Sequence, residues 1–373
     1  MGKYRFDEIA INSTQKKKPI EEDRFHYVGL EHIDPECFEI QQYGSEVAPV
    51  GEKLVMKKGD ILFGKRRAYQ RKVAIAPCDG IFSAHGMVLR PKTGVIDSSY
   101  FPFFISSDTF METAIRISVG GLSPTINWKD LAKQEFELPS LEEQKNLADK
   151  LWAAYRLKEA YKKLLIATDE MVKSQFIEMF GDPMTNTKAW VEFGYIGNYT
   201  QIVLGTTPNS KNSSYWNGEI KWITPAEMTE ESYYIYDTER HLTEEGLKAA
   251  NLTLLPCRSV LFSTRAPIGK VGLVGSPMYC NQGFKNFVCG DQLNPVYLYY
   301  SLIFKREYLV SLGTGTTFKE LSKKAVENLK IAVPPLILQN KFEEIYQQAD
   351  KSKFELKQCI ENIDKVIKSL ING

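Results

Sequence analysis

Leu138-Pro139-Ser140-Leu141-Glu142-Glu143 opens a stretch that holds neither proline nor glycine until Gly181-Asp182-Pro183. The Ser140 hydroxyl can accept the Glu143 amide while the Glu143 carboxylate reaches back to the Ser140 amide, a capping box. Gly-Asp-Pro is a stop signal. The spacing predicts one helix over 140–180, about 40 residues and ~60 Å long at ~1.5 Å per residue. Val333-Pro334-Pro335-Leu336 repeats the opening about 195 residues later and predicts a second long helix over 335–373.

The same shift of about 195 residues superposes much of the chain on itself. Tyr27-Val28-Gly29-Leu30-Glu31 meets Trp222-Ile223-Thr224-Pro225-Ala226, and Gly59-Asp60-Ile61-Leu62-Phe63 meets Arg258-Ser259-Val260-Leu261-Phe262. Ser83-Ala84-His85-Gly86 meets Cys280-Asn281-Gln282-Gly283, and Gly120 meets Gly315. Each copy begins with short strand-like runs broken by turn residues, such as 61–63, 72–76, 260–263 and 270–274, and ends in its long helix. The fold class is therefore α+β, with a first domain over 1–139, a helix over 140–180, a second domain over 181–334 and a helix over 335–373.

Apolar residues recur along both helices at steps of three and four. The second carries Phe342, Ile345, Ala349, Ser352, Leu356, Cys359, Ile363, Val366 and Leu370; the first carries Leu147, Leu151, Ala154, Leu157, Tyr161, Leu164, Thr168 and Met171. Helices this long cannot bury such stripes on their own compact domains. The expected solution is an antiparallel coiled coil of one helix with the other, with an intermolecular coiled coil or a docked partner protein as the rivals.

The chain has 373 residues, and 47 Lys and Arg balance 46 Asp and Glu, so no whole-molecule field announces nucleic acid or a membrane. The first thirty residues lack the apolar core of a signal peptide, and the apolar run around 296–304 is short of the ~18 residues a membrane helix needs. Six cysteines without a C-x-x-C pair and four histidines without H-E-x-x-H point to a cytoplasmic protein with free thiols and no metal site. No phosphate loop, dinucleotide fingerprint or nucleophile elbow is present. Asn294-Pro295-Val296-Tyr297 resembles the element with which amino-methyltransferases hold a flipped adenine, but helix initiation by an Asn cap and a first-turn proline explains it fully.

What charge there is lies locally. Between Lys53 and Lys72, eight basic residues face one acid, Asp60, a local charge of +7. Lys65, Arg66, Arg67, Tyr69, Gln70, Arg71 and Lys72 mix cations with an aromatic and an amide, which suits phosphate contacts from lysine and base-edge contacts from arginine and glutamine. The stretch 248–290 holds five basic residues and no acid. Arg265 there follows its strand much as Lys65 does, Lys270 and Lys285 share the stretch, and Gln282 stands opposite His85. Thr316 and Thr317, in the turn 313–318, are further candidates, although turn chemistry accounts for that stretch equally well.

Five strings carry a family resemblance: Ile61-Leu62-Phe63-Gly64-Lys65-Arg66-Arg67-Ala68-Tyr69-Gln70-Arg71-Lys72, Leu122-Ser123-Pro124-Thr125-Ile126-Asn127-Trp128, Ser174-Gln175-Phe176-Ile177-Glu178-Met179-Phe180-Gly181-Asp182-Pro183, Tyr215-Trp216-Asn217-Gly218-Glu219-Ile220-Lys221-Trp222-Ile223-Thr224, and the run from Thr316-Thr317-Phe318 to Asn328-Leu329. In this order, with the half-length repeat and the long helices, the chain resembles the specificity subunit of type I restriction-modification enzymes. The resemblance implies two target recognition domains, each reading one half of a bipartite double-stranded DNA sequence, on helices that set the non-specific spacer. It implies a chain without catalysis or cofactor of its own, working with two modification subunits that use S-adenosylmethionine and with restriction subunits that use ATP, Mg also being expected on these partners. The competing reading is a coiled-coil scaffold bearing two ligand-binding modules and no DNA role.

Overall fold

The computed structural model describes residues 2–190, 193–229, 233–265, 267–314 and 319–372. The chain divides into two compact units, Met1–Lys163 with Leu356–Gly373, and Leu164–Glu355. Each contains part of both long helices, Leu141–Phe180 and Leu336–Asn372. The helices match the ranges expected from sequence, 140–180 and 335–373, and the division between compact units falls within both of them.

The first unit holds an antiparallel sheet in the order Ala10–Ser13, Met87–Pro91, Ile61–Phe63, Val73–Ile75. A second sheet pairs Tyr27–Val28 in parallel with Gly80–Phe82, and Gly2–Arg5 pairs with Glu135–Leu138. The second unit repeats this plan. Thr200–Leu204, Lys285–Cys289, Val260–Phe262 and Val271–Val274 neighbour one another in the same order, and the strand Trp216–Ile223 runs parallel to Tyr279–Cys280. Phe193–Tyr195 pairs with Lys330–Ala332. Ile61–Phe63 and Val260–Phe262 are buried at every position, the pattern of central strands covered on both faces.

The Ser140 capping box forms: Ser140 N donates to Glu143 Oε2 at 2.8 Å and Glu143 N to Ser140 Oγ at 3.3 Å. Asn294 is a buried helix cap whose Oδ1 accepts the Val296 amide at 2.8 Å, as the initiation reading of that motif requires.

The helices run antiparallel within each unit. In the second, Lys353 meets Asp169 at 2.7 Å, and further on Phe342 contacts Phe176 and Phe180 at centroid distances of 5.2 and 5.6 Å. In the first, Lys158 meets Asp364 at 2.5 Å, and Leu147 and Trp152 join Ile367, Leu370 and Ile371 on one core.

The seams differ in part from the sequence expectation. On the second helix Phe342 and Ala349 are buried and Leu356, Ile363 and Leu370 half-buried, but the alternate positions fall one residue later, at Tyr346, Lys353, Ile360 and Ile367. Cys359 and Val366 are exposed, and Ile345 gives its place to Tyr346. On the first helix Leu151 is buried and Leu147 half-buried, whereas Leu157, Leu164 and Met171 are exposed beside a seam of Tyr155, Lys158, Leu165 and Val172. The step between heptad positions is four then three on the second helix, so of two adjacent apolar residues the one further along turns inward.

Arg258 donates to both carboxylate oxygens of Glu343 at 2.5 and 2.9 Å, tying the strand side of the second unit to its helix. Burial alone would push the Glu343 carboxyl up; hydrogen bonds from Arg258, Asn294 and Gln347 and the Arg258 charge outweigh it and hold the group below its ordinary 4.5. A carboxyl depressed on folding adds stability above its unfolded value that is lost as pH falls through the folded one. Glu343→Gln is therefore expected to lower the melting temperature of this unit at pH 7 by about 5 °C and to flatten its decline between pH 5 and 3, as followed by calorimetry.

Candidate nucleic-acid interface

Three segments converge at one edge of the first unit. The loop between the strands Ile61–Phe63 and Val73–Ile75 is closed by Gly64 N donating to Lys72 O at 2.9 Å. Arg66 N then donates to His85 O at 3.2 Å, Arg67 N to Pro124 O at 2.8 Å and Ile126 N to Lys65 O at 3.0 Å. Arg67 Nε reaches Ser123 Oγ at 3.2 Å. Arg67 and Arg71 both adopt left-handed backbone, φ 57° and 50°, on either side of the turn Ala68–Gln70. Such strain at non-glycine residues persists only where surrounding bonds determine the conformation, as they do here.

The edge thus formed leaves Arg66, Arg67, Tyr69 and His85 exposed and Lys65 and Gln70 half-buried. Leu122, at the tip of the 119–125 turn, is 97% exposed. Desolvation and the charge of Lys16 lower the Lys65 ammonium's pKa. Desolvation, then Arg66, Lys65 and Lys53, push the His85 imidazole below its ordinary 6.5, leaving the ring neutral at pH 7.

The second unit builds the same cluster. Ser263 N donates to Lys270 O at 2.9 Å, Thr264 N to Gly283 O at 2.8 Å and Leu321 N to Thr264 O at 3.0 Å. Thr314 and Glu320 exchange backbone hydrogen bonds at 3.1 and 2.9 Å, as Val119 and Thr125 do at 3.0 and 2.9 Å. Arg66 bridges to Thr125 and Arg265 to Glu320, so the structural counterpart of Arg265 is Arg66 rather than Lys65. Arg265 and Gln282 are exposed, and the Thr207 hydroxyl donates to Gln282 Oε1, fastening the 205–217 loop to this edge. Thr316 and Thr317 lie outside the described residues.

Four other expected contacts are engaged inside the protein. Lys72 Nζ donates to Leu30 O at 2.6 Å, and its counterpart Lys270 Nζ to Pro225 O and Met228 O at 2.9 and 2.6 Å. In both copies a lysine at the end of the hairpin ties it to the turn after the parallel strand pair. Lys285 is buried, with Nζ on Thr264 Oγ1 at 3.0 Å and Glu320 Oε1 at 3.1 Å. Arg71 donates to Asp108 Oδ1 at 2.5 Å, and Asp108 in turn is held by Asn372 at 2.8 and 2.9 Å. These four shape the loops; the outward-facing cations are Lys65, Arg66, Arg67 and Arg265.

Sequence reasoning missed Arg240. Its exposed guanidinium lies 3.6 Å from the Trp216 ring centroid and 5.3 Å from that of Trp222, a stack that fixes its planar donors. Nothing in the sequence marks it, because both tryptophans are brought to it by strand pairing. Among the described residues no His, Cys, Asp and Glu group is placed to hold a metal ion, and no helix is long and apolar enough to cross a membrane.

Bringing His85 beside Arg66 has a pH signature. A phosphate at this edge would favour the imidazolium, so binding takes up a proton and tightens as pH falls from 7.5 to 5.5. Each tenfold gain in proton affinity on binding is worth about tenfold in Kd once pH lies below both values. Fluorescence anisotropy at constant ionic strength checks it, and His85→Ala is expected to flatten the profile.

The sequence model described as the type I restriction modification DNA specificity domain matches residues 8–167 and again 190–365. The MjaIX type I restriction enzyme specificity subunit of Methanocaldococcus jannaschii is 34% identical over 176 residues, 46% of this chain and 41% of that protein. The putative MjaX specificity subunit of the same organism is 27% identical over 337 residues, 84% of this chain and 77% of the relative. The chain thus matches less than half the length of the first relative and about three quarters of the second. Among solved structures, the S subunit of a type I restriction-modification system from M. genitalium superposes with a TM-score of 0.60 at 14% identity, over 99% of this chain and 95% of that one.

Proposed function

Because the chain belongs to the type I restriction-modification DNA specificity family, with that domain present twice, we propose that it is the DNA-reading subunit of such a complex. Each unit reads one half of a bipartite duplex target, and the chain performs no bond-making of its own. The observation that carries this reading is the repeated loop cluster, which in each copy presents an exposed arginine, Arg66 or Arg265, at a matched backbone position. Lys65 and Arg67 supply phosphate and base-edge contacts in the first half, and Arg265 with Gln282 supplies them in the second.

Two modification subunits, with restriction subunits in the complete assembly, provide the chemistry and hold S-adenosylmethionine, ATP and Mg. Exposed helix residues left outside the seams, Leu157 in the first unit and, separately, Leu164 and Met171 in the second, are available to contact them. The test is duplex binding and adenine methylation by this chain with its modification partners on a randomised library. Enrichment of two fixed half-sites at a constant separation is expected, with affinity falling steeply with salt as counterions are released. A salt-independent association with no enriched sequence would instead favour a protein scaffold.

A further inference from the structure

The two loop clusters differ at one pair of matched positions. Strand register sets Phe63 opposite Met87 in the first unit. In the second, Val260 opposite Phe287 and Ser263 opposite Phe284 set Phe262 opposite Lys285. The residue bridged to the exposed arginine is Thr125 in the first and Glu320 in the second. Met87 and Thr125 are thus exchanged for Lys285 and Glu320, an apolar and a hydroxyl group for an ion pair, on the same scaffold. The first unit shows that the fold does not require the charges.

We propose that Glu320 is a base-reading acceptor in the second unit, taking a hydrogen bond from the exocyclic amino group of cytosine or adenine in the major groove. This rests on the DNA-reading role of the loop clusters. Glu320 is 40% exposed along its side chain; Oε1 accepts from Lys285 at 3.1 Å, while Oε2 stands 3.9 Å from Arg265 Nε, beyond hydrogen-bond distance. One oxygen is therefore fastened from below by a buried lysine and the other is presented at the edge. An acid on a surface that meets phosphates is repelled unless cations flank it, and Lys285 and Arg265 do so. A carboxylate only accepts, and the base groups that donate in the major groove are the amino groups.

The experiment selects from a randomised duplex library with the full chain and its modification subunits. It compares the natural protein, Glu320→Gln, and the double variant Lys285→Met with Glu320→Thr, which installs the first unit's pair. At one position of the second half-site both variants are expected to lose about tenfold or more in preference, with the first half-site unchanged. The enriched base on the contacted strand distinguishes cytosine from adenine. The double variant guards against misfolding, because it leaves no buried ammonium unpaired. Unchanged selection at every position, or a uniform loss of affinity with no position relaxed, would overturn the assignment and leave Glu320 as the counter-ion of Lys285. If the natural protein enriched no sequence, the DNA-reading role itself would fail.

Discussion

Replacing Lys65, Arg66 and Arg67 together with alanine is expected to weaken binding through the first half-site about a thousand-fold, close to 4 kcal/mol at ~1.4 kcal/mol per tenfold. A bidentate arginine on a base edge is worth ~1–3 kcal/mol, and each cation withdrawn from a phosphate flattens the salt slope by about one. The three side chains are those the first cluster leaves facing outward, while their backbones are held by His85, Pro124 and Ile126. The scaffold should survive their truncation. Selection of the second half-site should persist, and circular dichroism should show native secondary structure. Lys72→Met provides the contrast, since its ammonium serves Leu30 O. It is expected to destabilise the unit by ~1–3 kcal/mol through the orphaned carbonyl without a matching change in salt slope. Equal effects of the two substitutions on the salt slope would refute the division between outward and inward cations.

The second large effect concerns the helix seam. Lys158 is 6% exposed along its side chain and its ammonium lies 2.5 Å from Asp364. Asp364→Ala strands that charge beside Phe38, Phe103 and Tyr155, which line the same cavity, and is expected to cost ~3–5 kcal/mol. Pairing it with Lys158→Met should restore most of the loss, because a hydrophobe of similar length fills the seam without a charge to solvate. A double-mutant cycle on the unfolding free energy measures the coupling, and additive losses would argue that the ion pair is incidental.

Much of the architecture was legible in the chain because the repeat preserves strand register. Capping at Ser140 and Asn294 was readable too, since its partners lie two or three residues away. The seams were read in part: Leu147, Leu151, Ala154, Tyr161 and Thr168 on the first helix and Phe342, Ile345, Ala349, Leu356, Ile363 and Leu370 on the second are at least half-buried, while Leu157, Leu164, Met171, Ser352, Cys359 and Val366 are exposed. Lys158 and Lys353 occupy inward positions through ion pairs, and an apolar stripe cannot register a charged residue that turns inward; Leu157 and Leu164 drew the reading to the neighbouring face. The same limit acted at the candidate site. Lys72, Lys270 and Lys285 count as basic residues in any charge tally, but their partners are carbonyls, a hydroxyl and a carboxylate at least 20 residues distant. Only the fold separates a lysine that serves a carbonyl from one that awaits a phosphate.

The first compact unit joins residues up to Lys163 with the segment from Leu356 onward, whereas the second is one uninterrupted stretch, Leu164–Glu355. On a ribosome the second can close as soon as its own chain has emerged, while the first must wait with part of its core uncovered until the last helical turns are made. During synthesis the earlier-made unit is therefore the later to finish, and its exposed apolar surface in that interval is where a chaperone would act.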